Sequence, residues 1–172
     1  MNRGEGQGRE SIRFPEFTRE RRNMPGRKTH TTVGTLAGVG AALVHARDET
    51  GAAKWVEVIG GGAGGYLGGR MPDLLEPGVS RYHRQMAHSV MALLAALGIS
   101  SEVARNHCRA QADACALRSR NAALGPAEQL FAALAELFWR FIAGALGGLQ
   151  AGYASHLLLD ARTPMGLPLL FR

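Results

Sequence analysis

The chain has 172 residues, a net charge of +6, 46% apolar residues, 23 glycines and only 6% aromatics. It is long enough for one domain with its own core. Its alanine- and glycine-rich composition suits closely packed helices and argues against a β-sandwich, which would need more Val, Ile, Thr and Tyr. The basic N-terminus lacks the apolar segment of a secretory signal. Cys108 and Cys115, seven residues apart on an expected helix, are separated by about 10 Å, too far to bridge each other. They read as reduced thiols of a cytoplasmic protein.

Residues 1–28 hold eight Arg/Lys against four Glu, a local excess of four positive charges with almost no apolar content. This predicts a flexible basic arm, followed by a helical domain over residues 29–172. The arm is expected to be solvated. Arg19, Arg21, Arg22, Arg27 and Lys28 make an anionic membrane surface its natural partner. No aromatic interleaving or base-reading fold supports specific nucleic-acid recognition.

A first helix is expected from about Thr29 to Ala46, with Thr29 or Thr31 as cap, and a turn at Asp48–Gly51. A second runs from about Ala52 to Gly69 and contains Gly60-Gly-Gly-Ala-Gly-Gly65. That run lacks GK[ST] and a preceding strand, so close helix contact is the better reading than a phosphate loop. Arg70 to Gly78, with two prolines, reads as a polar loop. A third helix opens around Arg81-Tyr-His-Arg-Gln-Met-Ala-His-Ser89 and reaches about Ile99. A fourth, capped by Ser100-Ser101-Glu102, runs to about Leu124 and reads as a solvated face through Arg105, Arg109, Arg118 and Arg120; His107 reads as surface. Gly125-Pro126 opens a fifth helix to about Arg162, with an apolar stripe of Phe131, Leu134, Leu137, Phe138 and Phe141 and an expected i,i+4 pair of Glu136 with Arg140. The expectation is an all-α, single-domain bundle of about five helices.

Phe141 to Leu159 carries no formal charge and is nearly long enough to span a bilayer, with Gln150, Ser155 and His156 interrupting it. The other apolar stretches are short for spans. Mean hydropathy of −0.07 is that of a soluble protein. A soluble or peripheral chain, cytoplasmic or associated with an inner membrane, is therefore preferred over an integral one.

Four polar spots stand out from this background: His30, Asp73, the pair His83 and His88, and His156 with Asp160. His156 and Asp160 lie four apart and share a helix face, with three leucines between them. Imidazole and carboxylate groups in so apolar a setting are costly to desolvate unless they pair with each other, with another polar group or with a metal. Neutral imidazoles with carboxylates suit zinc or a similar divalent cation.

The succession Lys28-Thr-His-Thr-Thr-Val-Gly34, Met71-Pro-Asp-Leu-Leu-Glu-Pro77, His83-Arg-Gln-Met-Ala-His-Ser89 and Gly152-Tyr-Ala-Ser-His-Leu-Leu-Leu-Asp-Ala-Arg-Thr-Pro-Met-Gly-Leu-Pro-Leu-Leu170 resembles the YdjM-like family of inner-membrane, metal-dependent hydrolases. The resemblance covers about residues 28–172, with all four motifs in order and the last long and specific. It implies a helical hydrolase whose metal site is drawn from His30, Asp73, His83, His88, His156 and Asp160. The closing H-x-x-x-D element is also similar to one in zinc-dependent phospholipase C, which makes a phosphoester or lipid-like substrate the expectation by analogy. Two positions depart from the family pattern: Leu75 replaces the second aspartate of P-D-x-D, and Ala87 replaces the threonine before His88. The expected chemistry is hydrolysis by a metal-activated water. Asp73 would serve as ligand or base, and Arg84, with Arg81, would meet the charge of a phosphate.

Overall fold

A computed structural model describes residues 26–75 and 99–161. Among them every regular element is a helix: α1 (Arg27–His45), α2 (Gly51–Gly68), a short α3 (Met71–Leu75), α4 (Ile99–Ser119) and α5 (Pro126–Ala161). The expected all-α, single-domain bundle is the observed architecture. The arm over residues 1–25 and the expected third helix lie outside the described residues.

The bundle is built around α2, whose glycines let it touch two neighbours through backbone. On one edge Gly61, Gly65 and Gly69 meet the backbone of Gly38, Gly34 and His30 in α1. On the other, Gly60, Gly64 and Gly68 meet the carbonyls of Phe141, Ala145 and Leu149 in α5. From the opposite side Gly144, Gly148 and Gly152 of α5 close on the carbonyls of Glu57, Gly61 and Gly65. These small positions recur every fourth residue on the three helices, and a Cβ on the seam would enter a neighbouring carbonyl. Only glycine permits so close an approach. The glycine run is therefore the contact surface expected of it.

Helix α4 packs Cys108, Ala112 and Ala116 against α5. The expected solvated face of this helix is corrected at two arginines. Arg105 is buried, giving one N–H to His45 Nε2 at 2.9 Å and another to Glu102 Oε1 at 2.8 Å. Arg109 reaches across to Glu57 of α2, with Nε 3.0 Å and Nη2 2.5 Å from Oε1. Glu57 is fully buried, so this guanidinium supplies the charge partner that a desolvated carboxylate requires. His107 is exposed as expected and meets the edge of Trp139 at 6.5 Å.

Other boundaries move for identifiable reasons. α1 starts at Arg27, so Arg27 and Lys28 belong to the helix and not to the arm. Its N-cap is Gly26 without a side-chain cap, and Thr31 instead bonds back to the carbonyls of Arg27 and Lys28. Part of the expected polar loop is the helical turn α3: Pro72 is its second residue, where a missing N–H costs nothing, and is buried. α4 stops at Ser119, five residues early, because Asn121 Oδ1 takes the N–H of Ala123 and forms a local turn. Arg140 is buried and pairs with Glu49 at 2.7 Å and Asp113 at 2.6 Å, in place of the expected helix-surface pair with Glu136. The stripe containing Phe131, Leu134 and Phe138 points outward, with more than half of each side chain's surface exposed. Glycine, not the stripe, makes the inward face of α5.

Candidate metal centre

The site lies where the start of α1, the end of α2, α3 and the last turns of α5 meet. His30 is in the first turn of α1, and His156 and Asp160 are one turn apart on α5, all three buried. The His30 and His156 rings stack, with centroids 3.9 Å apart and planes 26° from parallel. Asp160 spans them: Oδ1 is 3.5 Å from His30 Nε2, and Oδ2 is 3.5 Å from His156 Nε2. Asp73 approaches from α3, with Oδ1 3.7 Å from the same His156 nitrogen.

The end of α2 sets the chemistry of His156. Gly69 caps that helix, and its carbonyl is one of the last that the helix cannot use internally. It lies 2.8 Å from His156 Nδ1. A carbonyl can only accept, so Nδ1 carries hydrogen and Nε2 is the nitrogen turned toward the carboxylates. A metal-binding histidine is oriented in this way, giving its other N–H to a backbone carbonyl. The position demands glycine, because a Cβ at residue 69 would lie 2.6 Å from the His30 carbonyl oxygen.

Imidazole Nε2 facing two carboxylate oxygens is favourable only with positive charge between them, a proton or a cation. Burial is the largest single influence on His156 and pulls its pKa down. Asp160, the Gly69 carbonyl and the charge of Asp73 act the other way, and the net shift is upward.

A metal ion fits the same place. Ligand atoms of His30, His156 and Asp160 all fall within 4.8 Å of one another. Donors around a tetrahedral zinc, each at about 2.0–2.1 Å, are about 3.4 Å apart. Each imidazole Nε2 lies 3.5 Å from one Asp160 oxygen, His30 from Oδ1 and His156 from Oδ2, a separation near that edge length for each pair taken singly. With neutral imidazoles, the four side chains including Asp73 carry two negative charges, which favours a cation among them. The buried His30, His156 and Asp160 group can hold a metal ion.

Of the residues singled out in the sequence, His30, Asp73, His156 and Asp160 come together here. His83, Arg84 and His88 lie outside the described residues, as does Arg81. Leu75 is exposed and offers no ligand at the second aspartate position. Gly69 acts through its backbone carbonyl and so leaves no side-chain signal in the sequence. Arg70 and Arg27, which look like loop and arm residues in the sequence, both border the cleft beside Asp73.

Among the described residues one helix, α5, is long and apolar enough to cross a membrane, with 28% of its most apolar window buried. Comparison with known protein families, characterised proteins and solved structures finds no match to this chain.

Proposed function

We propose that this protein is a membrane-associated, metal-dependent hydrolase of the YdjM-like kind, acting on a phosphoester or lipid-like substrate. The observation that carries the reading is the buried His30–His156–Asp160 group, with His156 oriented by the Gly69 carbonyl. His30, His156 and Asp160 hold the ion. A bound zinc ion supplies Lewis acidity, lowering the pKa of a water toward neutrality and polarising the ester oxygen.

Exposure divides the two carboxylates. The Asp160 side chain is 5% exposed and Asp73 is 42% exposed, so Asp160 suits the ligand role and Asp73, at the rim, can reach solvent. Asp73 then receives the proton released as water attacks and passes it to bulk water. The Gly69 carbonyl keeps the His156 ring in one tautomer throughout.

Leu75 favours one rival, a binding protein in which the same group is a structural metal or polar cluster. Elemental analysis of the purified protein, with phosphodiesterase and esterase screens on wild type and His156→Ala, separates the two. The hydrolase reading expects about one zinc per chain, at least tenfold weaker binding in His156→Ala, and turnover that disappears with it. Bound zinc without turnover on any ester selects the rival. No zinc above the level in His156→Ala removes the metal reading altogether.

A further inference from the structure

A small open cleft of about 90 Å³ lies beside Asp73, lined by Arg27, Arg70, Asp73 and Leu74. It adjoins the metal group through Asp73, whose Oδ1 faces His156. Two guanidiniums from separate elements border it, one from the first turn of α1 and one from the turn that links α2 to α3. We infer that Arg27 and Arg70 form the subsite that receives the anionic phosphoryl group of the substrate and holds it against the metal group. This rests on the hydrolase reading above and gives its substrate a defined binding position.

Arg70 is held in place before any ligand arrives. Its Nη1 donates to the Tyr66 hydroxyl at 2.6 Å, and its guanidinium lies over the Tyr66 ring, 5.3 Å from the centroid. Tyr66 stands four residues earlier on α2, so the pairing follows from helical spacing. Among the described residues this bond engages one of the five guanidinium N–H donors of Arg70. Arg27 is exposed at the start of α1. One arginine fork suffices for a planar carboxylate, whereas two guanidiniums match a tetrahedral, doubly charged phosphoryl group. The cleft is smaller than most small-molecule sites, which run to about 300–1,000 Å³, so it suits a compact group such as a phosphoryl, with the rest of the ester left outside it. A soluble phosphomonoester and a lipid headgroup share this chemistry.

The test uses the full chain with zinc. Binding of inorganic phosphate and of glycerol 3-phosphate is measured by calorimetry. Binding to phosphatidylcholine vesicles with and without phosphatidic acid is measured by flotation. Wild type is compared with Arg27→Gln, Arg70→Gln, the double variant, Arg70→Lys, Tyr66→Phe and the control Arg118→Gln, an exposed arginine of α4. Zinc content and melting temperature are read on every sample. The double variant is expected to lose at least tenfold in phosphate affinity with zinc content unchanged, Arg70→Lys and Tyr66→Phe two- to fivefold, and Arg118→Gln nothing. Loss in the soluble arm assigns a free phosphoester, and loss confined to phosphatidic acid vesicles assigns a lipid headgroup. Affinity in the double variant equal to wild type in both arms, or no binding by wild type in either, overturns the subsite. If wild type retains no more zinc than His156→Ala, the metal reading has failed by itself. Phosphate binding to the metal-free protein then decides the arginines.

Discussion

Single residues decide the two polar regions of this bundle, and they do so in opposite ways. Near the start of α1, His156 is turned toward carboxylates. Near the end of α1, His45 is turned toward arginine. Arg105 can only donate, so its 2.9 Å contact makes His45 Nε2 an acceptor and the ring neutral. Burial first, and then the charge of Arg105, hold the His45 pKa below its usual value of 6.5. A histidine whose pKa is depressed by folding takes its proton more readily in the unfolded chain. Its contribution to stability is complete above about pH 6.5 and is lost as pH falls from there toward the folded pKa. Denaturant midpoints measured from pH 7.5 to 5.5 should therefore fall more steeply for wild type than for His45→Gln. Equal slopes would mean that His45 is not held neutral. Glu57 gives a second prediction at this scale. Removing its partner by Arg109→Met leaves a fully buried carboxylate and should cost about 3–5 kcal/mol. Adding Glu57→Gln in the same chain should restore a large part of that loss in urea titrations.

At the scale of elements, the helices are held by glycine more than by interlocking side chains, and paired substitutions expose this. Gly64→Ala puts a methyl group into the Ala145 carbonyl of α5, with backbone on both sides and nothing flexible to yield. It should destabilise by about 3 kcal/mol or more, at or above the upper end of ordinary overpacking. Gly40→Ala lies on the outer side of α1 with nothing within 4 Å, and should stabilise by about 0.5–1 kcal/mol. Thermal melts of the two variants should move in opposite directions. The same feature explains what could be read from the sequence. Helix existence was legible from proline, glycine and apolar spacing, and His156 with Asp160 from their four-residue separation. Which side of α5 turns inward was not. The phenylalanines and leucines gave a clear stripe, and hydrophobicity alone cannot reveal that close backbone contact at Gly144, Gly148 and Gly152 has claimed the other side. The Glu57–Arg109 pair was equally hidden, since 52 residues separate two side chains that each resemble ordinary surface charges. The approach of His30 and Asp73 to the closing motif came from family resemblance and not from local spacing.

At the scale of the molecule, the outward faces of the described helices carry many large apolar side chains. Leu130, Phe131, Leu134 and Phe138 on α5, Trp55, Ile59 and Leu67 on α2, and Leu36, Leu43 and Val44 on α1 are all exposed. Large apolar side chains left in solvent are costly, and the proposed membrane association gives them lipid to cover them. Replacing Phe131 and Phe138 together by glutamate should reduce vesicle flotation at least tenfold and leave zinc content unaltered. Unchanged flotation would place the lipid contact elsewhere.

The glycine seam also has a consequence for how the sequence can change over time. Since α2 meets both neighbours backbone to backbone, sliding it by even one residue would replace glycines with side chains that have no room. The Gly69 carbonyl is thus fixed in register with His156 by contacts reaching back to Gly60, about 14 Å along the helix. Outer leucines and valines can be exchanged freely without disturbing the imidazole. In a saturation library selected for zinc retention, intolerance should therefore trace a narrow line of small residues leading to the metal, including many that never touch it.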